Sequence, residues 1–360
     1  MKTIFIIVLI FIFIYVIFDD HFKHFLITRF FSDVAPTNKN NIKNKKLSDD
    51  IYKIKKKLEN KIKLDVNKEC TLNMVSTYLY KDIQSQFDEE YFRKITDDYT
   101  KPVLIKDVFN DHTLDKFSID KLIKNYGDII VEALSIEDEK NIDGIKLTLK
   151  DYLNKIKNGE KYYLTVNNSL ANSLDITSLM KFYSIIFDNY GIKNIFLGNK
   201  HSFTHLHSEL AGSCAIQLNG IKKWYLINPK YSHNLHPIPD KNNIFFLSSI
   251  GFLKRNKKTN LIPHYEIIAE KGDFLFVPPW WWHETLNLTD DNFMFSYRPT
   301  LFEAPLKTNL SYTLNSYPLP LIYNKYILPI IKKFDTNKEL EKDTVIQSLK
   351  EISSRIPNLK

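Results

Sequence analysis

Hydrophobic and polar positions change their period along this chain, and the changes mark its parts. Ile4 to Phe18 is an unbroken apolar run between Lys2 and Asp19-Asp20. It falls slightly short of the roughly 20 residues that span a bilayer. No small-residue cleavage pattern follows it, so an uncleaved single-pass anchor is expected rather than a signal peptide, its rival. Residues 32 to 65 are polar and rich in Lys and Asn, and read as a stalk, helical from about Ser48 to Leu64. From Lys101 strand and helix patterns alternate. "KPVLIKDVF" predicts a strand and "TLDKFSIDKLIKNYG" an amphipathic helix ending at Gly127. "DIIVEAL" predicts a strand, "TLKDYLNKIKNG" a helix capped by Gly159, and "KYYLTV" another strand. Strand patterns dominate from about 194 to 300, and helical ones return after Pro305.

Composition adds little to the fold but limits the function classes. Aromatic residues make up 14% of the 360 positions and hydrophobic ones 44%, enough for a large strand-rich core. The net charge of +8 (50 basic, 42 acidic) is mostly dispersed lysine, densest between Lys39 and Lys63. That pattern reads as a solvated stalk, with a nucleic-acid or membrane surface as the alternative. Two cysteines, Cys70 and Cys214, make neither a disulfide framework nor a zinc cluster. Lys23, Arg29 and the Lys-rich stretch pull the large part toward the cytoplasmic side. The sequons at Asn167, Asn287 and Asn309 carry little weight in so Asn-rich a chain, and sidedness stays open.

The candidate chemistry lies in "SFTHLHSELAGSCAIQLNGIKKWYLINP", residues 202 to 229. Asn219-Gly220 is a strong hairpin signal, since both central residues of a type I′ turn need positive φ. With those residues as the loop, Leu218 pairs with Ile221 and Gln217 with Lys222. Side chains alternate along a strand. If the first strand is regular, His207, Glu209 and Gln217 share one face, and Lys222 joins it. Charged groups on a core face need partners: a cation for the first two, an anion for Lys222. His283, in "GDFLFVPPWWWHETLNL", completes two imidazoles and one carboxylate, the set that leaves positions open on Fe(II). His205, in phase with His207, competes with it. His201, His233, His236 and His264 read as solvated or capped, and the three tryptophans as packing at a barrel rim.

These segments resemble the JmjC and cupin-like oxygenases, the group that includes factor inhibiting HIF, over about residues 95 to 305. "IFLGNKHSFTHLHSE" is similar to the family's metal strand, "QLNGIKKWYLINP" to the following hairpin, and "KGDFLFVPPWWWHE" to the last ligand strand. The resemblance implies a mostly β fold, with a double-stranded β-helix (jelly-roll, cupin) core and flanking helices. It places His207, Glu209 and His283 on the iron ligands. Thr204 and Lys222 fall on the residues holding the distal carboxylate of 2-oxoglutarate, with Tyr163 near that co-substrate. The Thr-x-Leu-His order favours His207 over His205. Glu209 stands where Asp is commoner, and Ser213 where several relatives have Asn.

The organisation expected is an anchor at 1–30, a stalk at 31–94, an oxygenase domain at 95–305 and C-terminal helices at 306–360. The expected protein is a membrane-anchored dioxygenase using Fe(II) and 2-oxoglutarate to hydroxylate a protein side chain. Methyl-lysine and RNA are alternative substrates, and the C-terminal helices a candidate homodimer interface. Alternatives of other classes are a cupin-type metal enzyme doing isomerase or lyase work and a tethered binding protein with a vestigial site.

Overall fold

The computed structural model describes residues 74–316, apart from breaks at 136–143, 166, 188–190, 236, 240–244, 249 and 252–261, and a few isolated positions before residue 59. The described chain is dominated by strands. They are β1 (Ser76–Leu79), β2 (Val103–Lys106), β3 (Ile130–Ser135), β4 (Gly144–Thr148), β5 (Tyr162–Leu164), β6 (Gly191–Gly198), β7 (Phe203–Glu209) and β8 (Ser213–Asn219). There follow β9 (Lys222–Ile227), β10 (Pro237–Pro239), β11 (Phe245–Ser248), β12 (Tyr265–Ala269), β13 (Phe274–Val277), β14 (Trp282–Asn287) and β15 (Asn292–Pro299).

An expected helix forms at Leu149–Lys157, and the one expected to end at Gly127 forms only from Ile119 to Tyr126, because Ser118 is extended and separates it from the turns at Asp111–Phe117. In helix Leu149–Lys157, the Thr148 side chain accepts a bond from the Asp151 amide at its start. Gly159, at φ +85°, ends it where an L side chain would be strained.

The strands form two sheets. One has nine strands in the order β1-β2-β13-β8-β15-β6-β5-β3-β4, the other six in the order β10-β11-β7-β14-β9-β12. From β6 to β9, and again from β12 to β15, successive strands change sheet. This winding is that of a jelly roll, and it corrects the expected hairpin. β8 and β9 do not pair: Gln217 lies opposite Met294, and Lys222 lies between Ala269 and Asn287. Asn219-Gly220 is instead a corner between sheets. Gly220 has the expected positive φ, +75°, but Asn219 does not. The Thr289 hydroxyl accepts from the Ile221 amide and Asn292 Nδ2 donates to the Ile221 carbonyl, so the β14–β15 turn clamps the corner. Lys222 still faces the interior, because the inner faces of two stacked sheets meet in one core.

Burial follows this layering. Cys214, Ile216, Phe274, Phe276, Phe293 and Phe295 face outward from the larger sheet. They pack under helices Glu89–Ile95 and Thr177–Ile186, with Phe92 edge-on to Phe276 at 5.4 Å and Phe182 to Phe274 at 5.2 Å. Between the sheets lie Phe196, Ala215, Trp224, Leu226, Leu275 and Met294. On the back of the smaller sheet, Trp280, Trp282, Phe246 and Tyr312 form a third cluster. There Trp280 Nε1 donates to Thr313 Oγ1 at 2.8 Å and ties down helix Leu310–Ser316. The three adjacent tryptophans, expected to pack at a barrel rim, are all buried in core clusters.

The membrane-anchored reading is corrected. No helix among the described residues is long and apolar enough to cross a membrane. The apolar run 4–18 on which the anchor rested lies outside the described residues, as do the stalk, apart from a few positions, and the helical patterns beyond residue 316. Asn287, one of the sequons, is buried in β14.

Candidate metal centre

β7 and β14 run antiparallel down the middle of the smaller sheet, with His283 directly opposite His207. Two residues further along β14, Thr285 pairs with Thr204, not with residue 205. One extra residue therefore sits in β7 between its two ends, a β-bulge. It changes the phase of the strand, contrary to the regular alternation expected. Thr204 and His207, of opposite parity in sequence, both join the chamber-facing set. His205 loses its equivalence to His207, and its ring lies edge-on to Phe203 at 4.9 Å.

One ligand atom from each of His207, Glu209 and His283 lies within 4.8 Å of the others, and His205 is not part of that group. The imidazole centroids are 4.0 Å apart, and Glu209 Oε1 is 3.9 Å from His283 Nε2. The Nδ1 atoms are committed elsewhere: His207 Nδ1 bonds the His205 carbonyl at 2.7 Å, and His283 Nδ1 the Trp281 carbonyl at 2.9 Å. A carbonyl only accepts, so both Nδ1 atoms carry the proton and both Nε2 atoms keep a lone pair. Such carbonyl bonds orient metal-bound histidines. Burial pushes both imidazoles below the ordinary value of 6.5, and His207 well below it, with the neighbouring His283 adding to the effect. Two neutral nitrogen donors and one carboxylate, converging at this spacing, fit a divalent iron ion.

The second half of the chamber is set by Lys222, which is completely buried. Its Nζ donates to the Tyr163 hydroxyl at 3.2 Å and lies over the Tyr163 and Phe196 rings at 5.6 and 5.8 Å. Tyr163 in turn sits 3.5 Å from the Thr204 hydroxyl. The structure thus gathers Thr204, Tyr163 and Lys222 in one place. No carboxylate pairs with Lys222 among the described residues. A buried ammonium held only by a neutral hydroxyl and aromatic faces is costly unless an anion joins it. Buried Trp224 Nε1 and Asn287 Oδ1 also lack partners among the described residues, and their residues lie on the same strands. Ser213 bonds Ser296 across the inner face of the larger sheet at 2.9 Å.

Sequence reasoning missed Arg298. Its Nε lies 3.0 Å from Glu209 Oε1, with both side chains about an eighth exposed (12% and 13%). The signal was available in "NFMFSYRP": Phe293, Phe295 and Tyr297 face the outer core, which puts Met294, Ser296 and Arg298 in phase with the chamber. Of the histidines expected to be solvated or capped, His201 is exposed, while His264 is buried and bonded through Nδ1 to the Ile262 carbonyl. His233 is buried as well, and His236 lies outside the described residues.

A jelly roll whose interior gathers two histidines and a carboxylate, with a buried lysine on the same face of the smaller sheet, has the groups to hold a divalent metal ion and an anion. The cupin-like domain family matches residues 88–298, and the chain belongs to that family. The chain is 31% identical over 121 residues to an arginine-specific demethylase, JMJ20, of Arabidopsis thaliana, covering 32% of this chain and 25% of the relative. It is 31% identical over 114 residues to JmjC domain-containing protein D of Dictyostelium discoideum, covering 30% and 25%. The matched part is thus about a quarter of the length of either relative.

Proposed function

We propose that this protein is an Fe(II)- and 2-oxoglutarate-dependent dioxygenase that hydroxylates a protein side chain, with its catalytic domain at 95–305. His207, Glu209 and His283 are the iron ligands, and Lys222, Tyr163 and Thr204 hold the distal carboxylate of 2-oxoglutarate. The observation that carries this reading is Lys222, a fully buried cation in the same chamber as the three candidate ligands.

Bound iron with 2-oxoglutarate supplies the oxidising chemistry: one atom of O2 enters succinate as CO2 leaves, and the other becomes the hydroxyl of the product. The chain's own groups do the positioning. The carbonyls of His205 and Trp281 hold the two imidazoles in the tautomer that presents Nε2. Lys222 gains the charge-assisted bond it lacks, and Tyr163 and Thr204 stand beside it to add hydroxyl contacts. Phe245 stacks on His207 at 5.0 Å and Trp224 lies 6.0 Å from His283, so apolar rings flank the imidazoles.

N-methyl oxidation is a second reading, favoured by the likeness to a protein named an arginine-specific demethylase. Purified full-length protein given Fe(II), ascorbate and 2-oxoglutarate is expected to form succinate, read by proton NMR. His207→Ala and Lys222→Ala are expected to abolish it. Succinate formation unchanged in either variant would refute the site assignment.

A further inference from the structure

Arg298 is the cation that the proposed chemistry does not use. It stands near the end of β15, and its Nε contacts the same Glu209 oxygen that faces His283 Nε2. The arginine and Glu209 are 12% and 13% exposed, whereas Lys222 is 0% exposed. Arg298 therefore marks the more open end of the chamber, where a substrate must approach the iron.

Resting on the function proposed above, we infer that Arg298 is a specificity-determining residue: it admits a neutral or carboxylate-bearing side chain to the iron and rejects a methylammonium or guanidinium group. In the loaded chamber, iron(II), the Glu209 carboxylate, a 2-oxoglutarate dianion and the Lys222 ammonium cancel in charge. Among these chamber groups the permanently charged guanidinium then sets the sign. Glu209 Oε1 is 3.0 Å from Arg298 Nε, and a metal–oxygen bond of about 2 Å followed by a reacting distance of about 3 Å, not in line, places a reacting group roughly 7 Å from the guanidinium. At an effective dielectric constant of about 20, that separation disfavours a unit positive charge roughly 50-fold and favours a negative one by a similar factor. A demethylase has the opposite need, since its substrate brings a cation to the metal.

The test measures charge at the site without requiring turnover. Full-length protein is loaded with Mn(II) and 2-oxoglutarate, and paramagnetic relaxation of acetate, acetamide and methylguanidinium is compared by NMR at low salt. Acetate is expected to relax at least about tenfold faster than methylguanidinium, with acetamide between them. Arg298→Lys is expected to keep that order, and Arg298→Gln to bring the ratio close to one. Methylguanidinium relaxing as fast as acetate in the wild type would overturn the inference, as would an unchanged ratio in Arg298→Gln. The wild-type comparison decides alone if Arg298→Gln does not fold. Relaxation no greater than in a His207→Ala control would remove the metal reading itself, and the inference with it.

Discussion

Replacing Lys222 by Met separates a binding role from a structural one, because the two roles predict opposite signs. Lys222 pairs with Asn287, four residues along β14 from His283, so the two backbone positions lie about 13 Å apart along the strand. A five-carbon diacid chelating a metal spans about 7 Å, and a charge-assisted bond to an ammonium adds about 3 Å. The lysine has only to lean about 3 Å toward the metal, well within its side-chain length. Breaking a buried pair by deleting one partner costs about 3–5 kcal/mol, or roughly 150- to 4,000-fold in affinity. Lys222→Met is therefore expected to weaken 2-oxoglutarate binding to Mn(II)-loaded protein by that factor, read by titration calorimetry, while Mn(II) binding is kept. Without co-substrate the same variant is expected to unfold at an equal or higher temperature, since an unmatched buried ammonium has been replaced by an apolar chain of similar volume. An affinity within about threefold of wild type, or a variant that loses stability and affinity together, would refute the reasoning.

The remaining predictions concern protonation and packing. Both imidazoles titrate below 6.5 in the folded chain, so below that pH the unfolded state binds more protons. The stability of the metal-free protein is expected to hold above about pH 6.5 and to fall as pH drops toward the depressed values; urea midpoints across that range check it, and a midpoint that does not fall refutes it. Trp280→Ala removes a fully buried ring and the bond that secures helix Leu310–Ser316, and is expected to cost about 3–5 kcal/mol in chemical unfolding. Gly220→Ala places a Cβ 2.4 Å from Thr289 Oγ1 at a φ of +75°, and is expected to destabilise the corner before Lys222 by more than about 1 kcal/mol.

The sequence was most legible where one signal has one structural meaning. The periods at 119–126 and 149–157 became helices, and the apolar runs of 194–300 became strands, because burial dictates both. Asn219-Gly220 was half legible. The dipeptide announces a reversal of direction, but not whether the strands it joins share a sheet. Lys222 was expected to face inward through Gln217; it does so through Asn287 and Ala269. Thr204 was legible only by resemblance, since the bulge that turns it inward depends on pairing with β14, 81 positions further on at Thr285. Arg298 was legible in part: the alternation of β15 puts it in phase with the chamber, but its contact with Glu209 spans 89 positions and leaves no local mark.

The additional residue in β7 also works as a phase shifter. Upstream of it, even-numbered positions look into the chamber, and downstream odd-numbered ones do. One short strand can therefore contribute to both ends of the cavity, a hydroxyl near the anion end and a nitrogen and a carboxylate at the metal end, though the spacing of these side chains is incompatible with strict alternation. Straightening the strand without removing that residue would turn either Thr204 or His207 away from the chamber and leave the strand able to serve only one of those ends. In this protein an irregularity of the backbone, rather than any one side chain, couples the two halves of the site.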